Sequence, residues 1–482
     1  MRSTDTETDT DSMPFPPTSR STPTGVASPT RRLATSCILS GLLLGLLPAA
    51  TGAQQSSAAP PGPESPRPHV LLLTVDTLRA DHLSIYGSKQ PRTPHIDALA
   101  RRGLLFEDAL TTIGKTGPAF ASAFSSLHPP THGARRNGVP VRDDVPLLAE
   151  ILAQNGYRTA AFISNWTLRD HLSGLARGFD VWDEDFSKRR YGVGPSERRA
   201  DSVIAATVKW TKKAAASPGP LLIWAHFSEP HTPYDEHDGF RFRVEPGERR
   251  TPQVAKRLRY ASEVAYTDAK IGELLRRLES HIDLDRTLIL FFADHGESIG
   301  EHDYWGHGRN VHWPNLDIPL AIVGPGVPQQ RRSTMPASII DVLPTVLGAL
   351  RIPAPEAIEG LDLLQHWQTP DDARQRFAVA DRSTALFEKA KEEYADPLQI
   401  AMQTRSVKTI FDFDMRQTRY YDLRRDPLEL ESDINPPLEL KPPLRRRLAN
   451  WYRGLPKHDA DEGPLSEEDR KQLESLGYTG GR

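Results

Sequence analysis

Three short stretches of this 482-residue chain carry side chains suited to metal-assisted cleavage of an ester: Asp76 at the end of an apolar run, Thr116 within Gly114-Lys115-Thr116-Gly117, and Asp294-His295-Gly296-Glu297. A carboxylate and an imidazole side by side at a strand end can reach one cation, and the following glycine permits the sharp turn that this requires. Taken alone, Asp76 serves equally well as a turn or helix-capping aspartate. His302 and His307 follow in the polar, glycine-rich residues 300–308, where an imidazole is expected near solvent or a ligand; a solvated loop histidine is the plain alternative, more so for His302 than for His307. Thiol chemistry is not available. The single cysteine, Cys37, lies beside an N-terminal apolar run, so the nucleophile has to be a hydroxyl, carboxylate, imidazole or metal-activated water.

The elements that position these residues are legible as apolar runs. Residues 69–75 (HVLLLTV) stop abruptly at Asp76, and residues 288–292 (LILFF) stop just before Ala293-Asp294-His295. Uninterrupted apolar runs of this length are expected of buried parallel strands, and open α/β sheets place ligand groups just past the strands' carboxyl ends. Further strands are predicted at 159–163 and 221–225, with helices at 94–102, 145–155 and 261–279. This alternation predicts an α/β fold with a doubly wound, mostly parallel sheet. After about residue 350 the pattern changes. Strands at 404–412 and 419–423, a proline-rich stretch at 435–443, and a capping-box-like start at Ser466-Glu467-Glu468-Asp469 predict a smaller C-terminal α+β subdomain.

Composition narrows the class. A hydrophobic content of 38% supports real cores, and a net charge of -3 gives no basic footprint for nucleic acid, leaving a small-molecule or carbohydrate ester as the partner. Arg31-Arg32, the apolar residues 38–47 and the small-residue exit through Ala53 have the order of a signal peptide. Its apolar core is short for a membrane span, so the mature chain is expected to be exported, periplasmic or secreted, with no stable membrane span; an uncleaved N-terminal anchor is the alternative. The expected division is a signal peptide at 1–53, a proline-rich linker at 54–67, a catalytic domain at 68–350 and the C-terminal subdomain, with its terminal helix, at 351–482. Oligomeric state is not set by any of these features.

Asp76-Thr77-Leu78-Arg79-Ala80-Asp81-His82, Tyr86-Gly87, Thr93-Pro94-His95-Ile96-Asp97 and Gly103-Leu104-Leu105-Phe106 together resemble the opening of the sulfatase branch of the alkaline phosphatase superfamily. Thr116-Gly117-Pro118 stands where that family keeps its nucleophile, and Asp294-His295-Gly296-Glu297 with Gly306-His307-Gly308 resembles its second metal segment. Pro230-His231-Thr232-Pro233, Asp341-Val342-Leu343-Pro344-Thr345, Tyr421-Asp422-Leu423 and Asp426-Pro427 extend the likeness, which covers about residues 68–478. The departures are informative. Threonine replaces the cysteine or serine that the family oxidises to formylglycine, and no arginine follows at the expected place, so formylglycine is not expected. The family's lysine and histidine that grip sulfate are missing from Ser164-Asn165-Trp166-Thr167-Leu168. These losses bring the site closer to threonine-nucleophile phosphoesterases, phosphonate hydrolases and phosphotransferases of the same superfamily.

The resemblance implies one divalent ion held by Asp76, Asp294 and His295, with Thr116 as fourth ligand. Replacing a carboxylate and an amide by an imidazole favours zinc or manganese, with calcium or magnesium as further options, and a second metal through His231 and His307 stays open. Thr116 would be the nucleophile and His307 the proton donor to the leaving group, with His231 and His307 contacting the oxyanion. Lys115 would stabilise the alkoxide or an anionic oxygen, or else be a solvated lysine; Asn137 would approach the anion or shape a turn; His226 is expected to be structural. The implied activity is hydrolysis of sulfate or phosphate esters. Phospho-group transfer to an alcohol, and a noncatalytic glycan- or partner-binding role, are the alternatives.

Overall fold

Continuous apolar runs form the centre of the molecule. The computed structural model describes residues 67–187, 197–244, 247, 249–369, 374–380, 398–432, 441–456 and 466–475. The expected signal peptide and all but the last residue of the expected linker lie outside them, as do residues 435–440 of the proline-rich stretch. An eight-stranded sheet has the order Arg331–Ser333, Leu104–Phe106, Leu320–Val323, Thr287–Ala293, His69–Val75, Leu221–Phe227, Arg158–Phe162, Val181–Asp183. Its five last-named strands are parallel, while Leu320–Val323 runs antiparallel to both neighbours, so the predicted α/β architecture holds with a mixed edge.

His69–Val75 lies between Leu221–Phe227 and Thr287–Ala293 and is buried apart from its first residue, whereas both partners are buried throughout. Strands covered on both faces have no use for polar alternation, which is why these segments read as unbroken apolar runs. Each fully buried Leu or Phe contributes about 1.5–3 kcal/mol relative to exposure. Helices at Pro94–Arg101, Leu148–Gln154 and Pro252–Leu278 occupy the predicted places, the last beginning nine residues earlier than its apolar spacing suggested. That extension is capped by the Thr251 hydroxyl, which accepts from Val254 N, and Pro252 sits in its first turn, where its missing N–H costs nothing. No helix among the described residues is long and apolar enough to cross a membrane.

The C-terminal part is a four-stranded antiparallel meander, Arg376–Ala380, Gln399–Gln403, Val407–Asp412 and Gln417–Asp422, followed by helices Lys441–Gly454 and Glu467–Ser475. The predicted strand at 404–412 therefore begins at Val407, after a turn in which Thr404 Oγ1 accepts from Val407 N. Ser466 caps the last helix as expected, its hydroxyl accepting from Asp469 N. Val379, Ile400, Met402 and Leu448 join the main hydrophobic cluster.

Charge also ties this sheet to the main one. Lys408 and Glu429 form a fully buried pair, Nζ to Oε1 2.7 Å, and the other Glu429 oxygen lies 2.8 Å from His312 Nδ1. Burial alone would raise the Glu429 carboxyl, yet Lys408 and His312 hold it down, to about 2. Lys408→Ala leaves a buried carboxylate uncompensated and is expected to lower the unfolding free energy by about 3–5 kcal/mol in urea titration. A carboxyl depressed in the folded state stabilises above its unfolded value, so in the parent chain Glu429's contribution should be complete above about pH 4.5 and fade as pH falls toward about 2. The Lys408→Ala variant should lose that component.

Candidate active site

Asp76 follows the first strand of the sheet, Asp294 and His295 follow Thr287–Ala293, and both sites of chain exit are on the carboxyl edge. The edge is shaped by tight backbone. Thr77 adopts φ 53°, unusual for a β-branched residue, and its N–H donates to Asp294 Oδ1 at 3.1 Å, so the turn after one carboxylate is fixed by the other. A Cβ at Gly296 would stand 2.1 Å from Pro314 O, which leaves room only for glycine.

Here the predicted metal ligands meet. Asp76, Asp294 and His295 offer ligand atoms within 4.8 Å of one another, all three residues buried. His295 Nε2 lies 3.4 Å from Asp294 Oδ2, 3.8 Å from Asp76 Oδ1 and 3.4 Å from Thr116 Oγ1. Asp76 Oδ1 and Asp294 Oδ2 are buried without a hydrogen-bond partner. Burial and the mutual repulsion of the two carboxylates push Asp76 well above the usual range; burial also raises Asp294, against the pull of His295. Burial holds His295 down to about 4, which keeps a lone pair on its imidazole. Orphaned acceptors, paired carboxylates and a neutral imidazole together fit a divalent cation.

Thr116 opens the helix Thr116–Ser125, all of it buried, and Lys115 precedes it. Lys115 is 3% exposed, which rules out the solvated-lysine alternative; a Cβ on Gly308 would lie 3.2 Å from its Cγ and Cε, so its stem runs beside the residue after His307. Asn137 is a positioning residue: its Oδ1 accepts from Gly117 N at 2.9 Å, fixing the first turn that carries Thr116.

The other imidazoles are oriented in one manner. His307 Nδ1 is 3.2 Å from Glu297 Oε1, and His231 Nδ1 is 2.6 Å from Glu197 Oε1. His295 Nδ1 is 2.9 Å from Gly296 O, and His226 Nδ1 is 3.1 Å from Thr74 Oγ1. In each, Nε2 is left as the other working nitrogen. The ring of His307 is 4.5 Å from that of His295 and 5.1 Å from that of His231. Burial would lower His231, yet Asp76 and Glu197 outweigh it and raise its pKa to about 10. His226, expected to be structural, does bond Thr74 but also stands 3.9 Å from Asp76 Oδ2, at the margin of the cluster.

His302 does not belong with them. It stacks on His312 with centroids 4.0 Å apart and planes at 15°, half-buried beside Glu429 and apart from the Asp76 cluster. His302, His312 and Glu429 have metal-ligand spacing, but Lys408 already compensates the carboxylate. Three contributors were missed in the sequence. Glu197 stands ahead of the Ala200–Ala215 helix and reaches the site through a bridge to Asn165; nothing local marks it. Asn165 was noted only as a departure, yet its Nδ2 donates to Asp76 Oδ2 at 2.5 Å. Arg79 is buried, donates to Glu297 O at 3.0 Å and pairs with Asp81 and Glu301, so it ties the segments after Asp76 and Asp294 together.

The Sulfatase family model matches residues 68–352. The chain belongs to the sulfatase family. As a family member it is a sulfuric ester hydrolase. It is 26% identical over 350 residues to the ulvan-active sulfatase of Formosa agariphila, covering 66% of this chain and 68% of that one. The choline-sulfatase of Rhizobium meliloti is 25% identical over 429 residues, 76% of this chain and 82% of the relative. In fold, the chain is similar to a solved structure in complex with its substrate D-glucosamine-2-N,6-O-disulfate, at TM-score 0.66 and 19% identity over 83% of this chain and 100% of that one. The phosphonate monoester hydrolase of Agrobacterium radiobacter gives TM-score 0.62 and 21% identity over 80% and 94%.

Asn137→Ala removes the acceptor for a buried N–H and should cost about 1–3 kcal/mol of stability in urea titration, with Asn137→Asp, which keeps an acceptor, closer to the parent.

Proposed function

We propose that this sulfatase-family chain is an exported enzyme that hydrolyses sulfate esters of carbohydrates, with Thr116 as nucleophile and a divalent ion held by Asp76, Asp294, His295 and Thr116. The observation that carries this reading is the approach of Thr116 Oγ1 to within 3.4 Å of His295 Nε2, beside two buried carboxylates with unpartnered oxygens. Export rests on the leader pattern of residues 31–53. The carbohydrate ester is supported by the two saccharide-named relatives, the ulvan-active sulfatase and the disulfated glucosamine complex. Zinc or manganese suits the donor set better than calcium because an imidazole is among the ligands.

A threonine hydroxyl is a weak nucleophile at neutral pH. The ion, when bound, supplies Lewis acidity that favours the alkoxide and screens charge on the sulfuryl oxygens. Thr116 lies in the first turn of a ten-residue helix, whose positive end also favours negative charge on its oxygen. In the first step, with its hydroxyl proton lost to solvent beforehand, Thr116 Oγ bonds sulfur in line as the S–O bond to the alcohol breaks, and His307 gives its proton to the departing oxygen. In the second step His307 takes a proton from water as water oxygen attacks sulfur, breaking the Thr116 Oγ–S bond and releasing sulfate. Glu297 holds the His307 ring at Nδ1, and His231, whose pKa Asp76 and Glu197 raise against burial, donates to a nonbridging oxygen. Lys115 adds a buried positive charge beside the same oxygens. This arrangement leaves formylglycine without a role.

A phosphate or phosphonate ester is the second reading. Asn165 occupies part of the segment where the family keeps its sulfate-gripping lysine and histidine, and here it donates to Asp76. Purified mature protein should therefore be given aryl sulfate, phosphate and phosphonate with zinc or manganese. Sulfate should be turned over fastest, chelator should abolish turnover, and Thr116→Ala should lower kcat about a thousandfold or more. Unchanged turnover in that variant rejects the nucleophile, and preference for phosphate or phosphonate selects the second reading.

Glu297→Gln removes the charge that orients His307 and is expected to lower kcat by about 10–100-fold with little change in KM. The loss should grow as the leaving alcohol becomes less acidic, because only poor leaving groups need the proton; a loss independent of leaving group contradicts His307 as the acid.

A further inference from the structure

Residues 243–259 carry six arginines and lysines against two glutamates in a chain whose net charge is -3. Arg243, Arg249 and Arg250 are exposed. Lys256 differs from them. It sits in the second turn of the Pro252–Leu278 helix, half-buried, with Nζ 4.4 Å from the centre of the Trp305 ring and 5.5 Å from that of Tyr234. Both rings adjoin the reacting groups: Trp305 precedes Gly306-His307, and the Tyr234 hydroxyl is pushed up by burial and by the nearby Glu297 carboxylate. The neighbouring Arg257 donates from Nε to Ile299 O at 3.0 Å, which holds this turn of the helix against the loop that bears His307.

Lys256 makes no ion pair with a described carboxylate. Partial burial lowers its ammonium pKa, with Glu297 acting in the opposite sense. A partly desolvated ammonium backed by aromatic faces gains from an anion arriving there. We propose that Lys256, on its Trp305 and Tyr234 platform, is a subsite for a second anionic group of the substrate. This rests on the reading of the chain as a carbohydrate sulfate hydrolase and narrows it: the substrate is a saccharide ester with a further sulfate or carboxylate near the one cleaved. The exposed arginines that precede the helix extend the same preference to longer polyanionic chains by screened, long-range attraction.

Binding separates this inference from the catalytic one. Calorimetric titration of Thr116→Ala protein, loaded with zinc, with a monosulfated and a disulfated form of the same disaccharide should show the disulfated form bound about tenfold more tightly. The preference should vanish in T116A/K256M, where an apolar side chain still covers Trp305, and return in T116A/K256R. Equal affinity for the two saccharides, or an undiminished preference in T116A/K256M, overturns the subsite. If the preference depends on Lys256 while the parent protein turns over no sulfate ester, the subsite stands and the hydrolase reading falls.

Discussion

Two carboxylates set side by side at a buried edge of the sheet, Asp76 and Asp294, impose the constraint around which the site is arranged. Neither can be charged there without positive charge close by, and each keeps one oxygen without a hydrogen-bond partner. The fold accepts this cost because both residues terminate adjacent, buried parallel strands whose register is fixed by the core. The Thr77 N–H and Asn165 amide satisfy the remaining oxygens. What is left is a pair of acceptors facing a neutral imidazole and a threonine hydroxyl, a donor set that fits a divalent cation.

Around that pair, orientation is supplied by a second layer. Four imidazoles are each held at Nδ1, by Glu197, Glu297, a backbone carbonyl and a threonine hydroxyl, so ring position is determined from behind. Asn137 does the same for the first turn of the helix that opens at Thr116. These supports come from segments far apart in sequence, and their common property is burial rather than any motif.

That difference explains what could be read in the amino-acid sequence. The strands flanking the site were evident because covering both faces of a sheet demands uninterrupted apolar residues, and Asp76, Asp294 and His295 were evident because they stand where those runs stop. Thr116 was assigned from resemblance, since a threonine beside glycine has no local signature of reactivity. Glu197 escaped because an isolated glutamate before a helix looks like a solvated cap. The solvated alternative for Lys115 fails because glycines let its loop pack closely, with Gly308 against the Lys115 stem, and similar packing stacks His302 on His312. The long helix began earlier than its apolar spacing suggested because its first turns cover the His307 loop with Lys256 and Arg257, not with hydrophobic residues.

The clasp made by Lys408, Glu429 and His312 has a further consequence for the loop that bears His307. His302 and His312 flank His307 in sequence, and both are held against the C-terminal meander through Glu429. Lys408 and Glu429 both belong to the C-terminal part, so what crosses to the segment after His307 is the second Glu429 oxygen, bonded to His312 Nδ1 and accepting from Trp313 N. The C-terminal sheet, remote in sequence from the strands that end at Asp76 and Asp294, thereby braces the segment that follows His307 from behind.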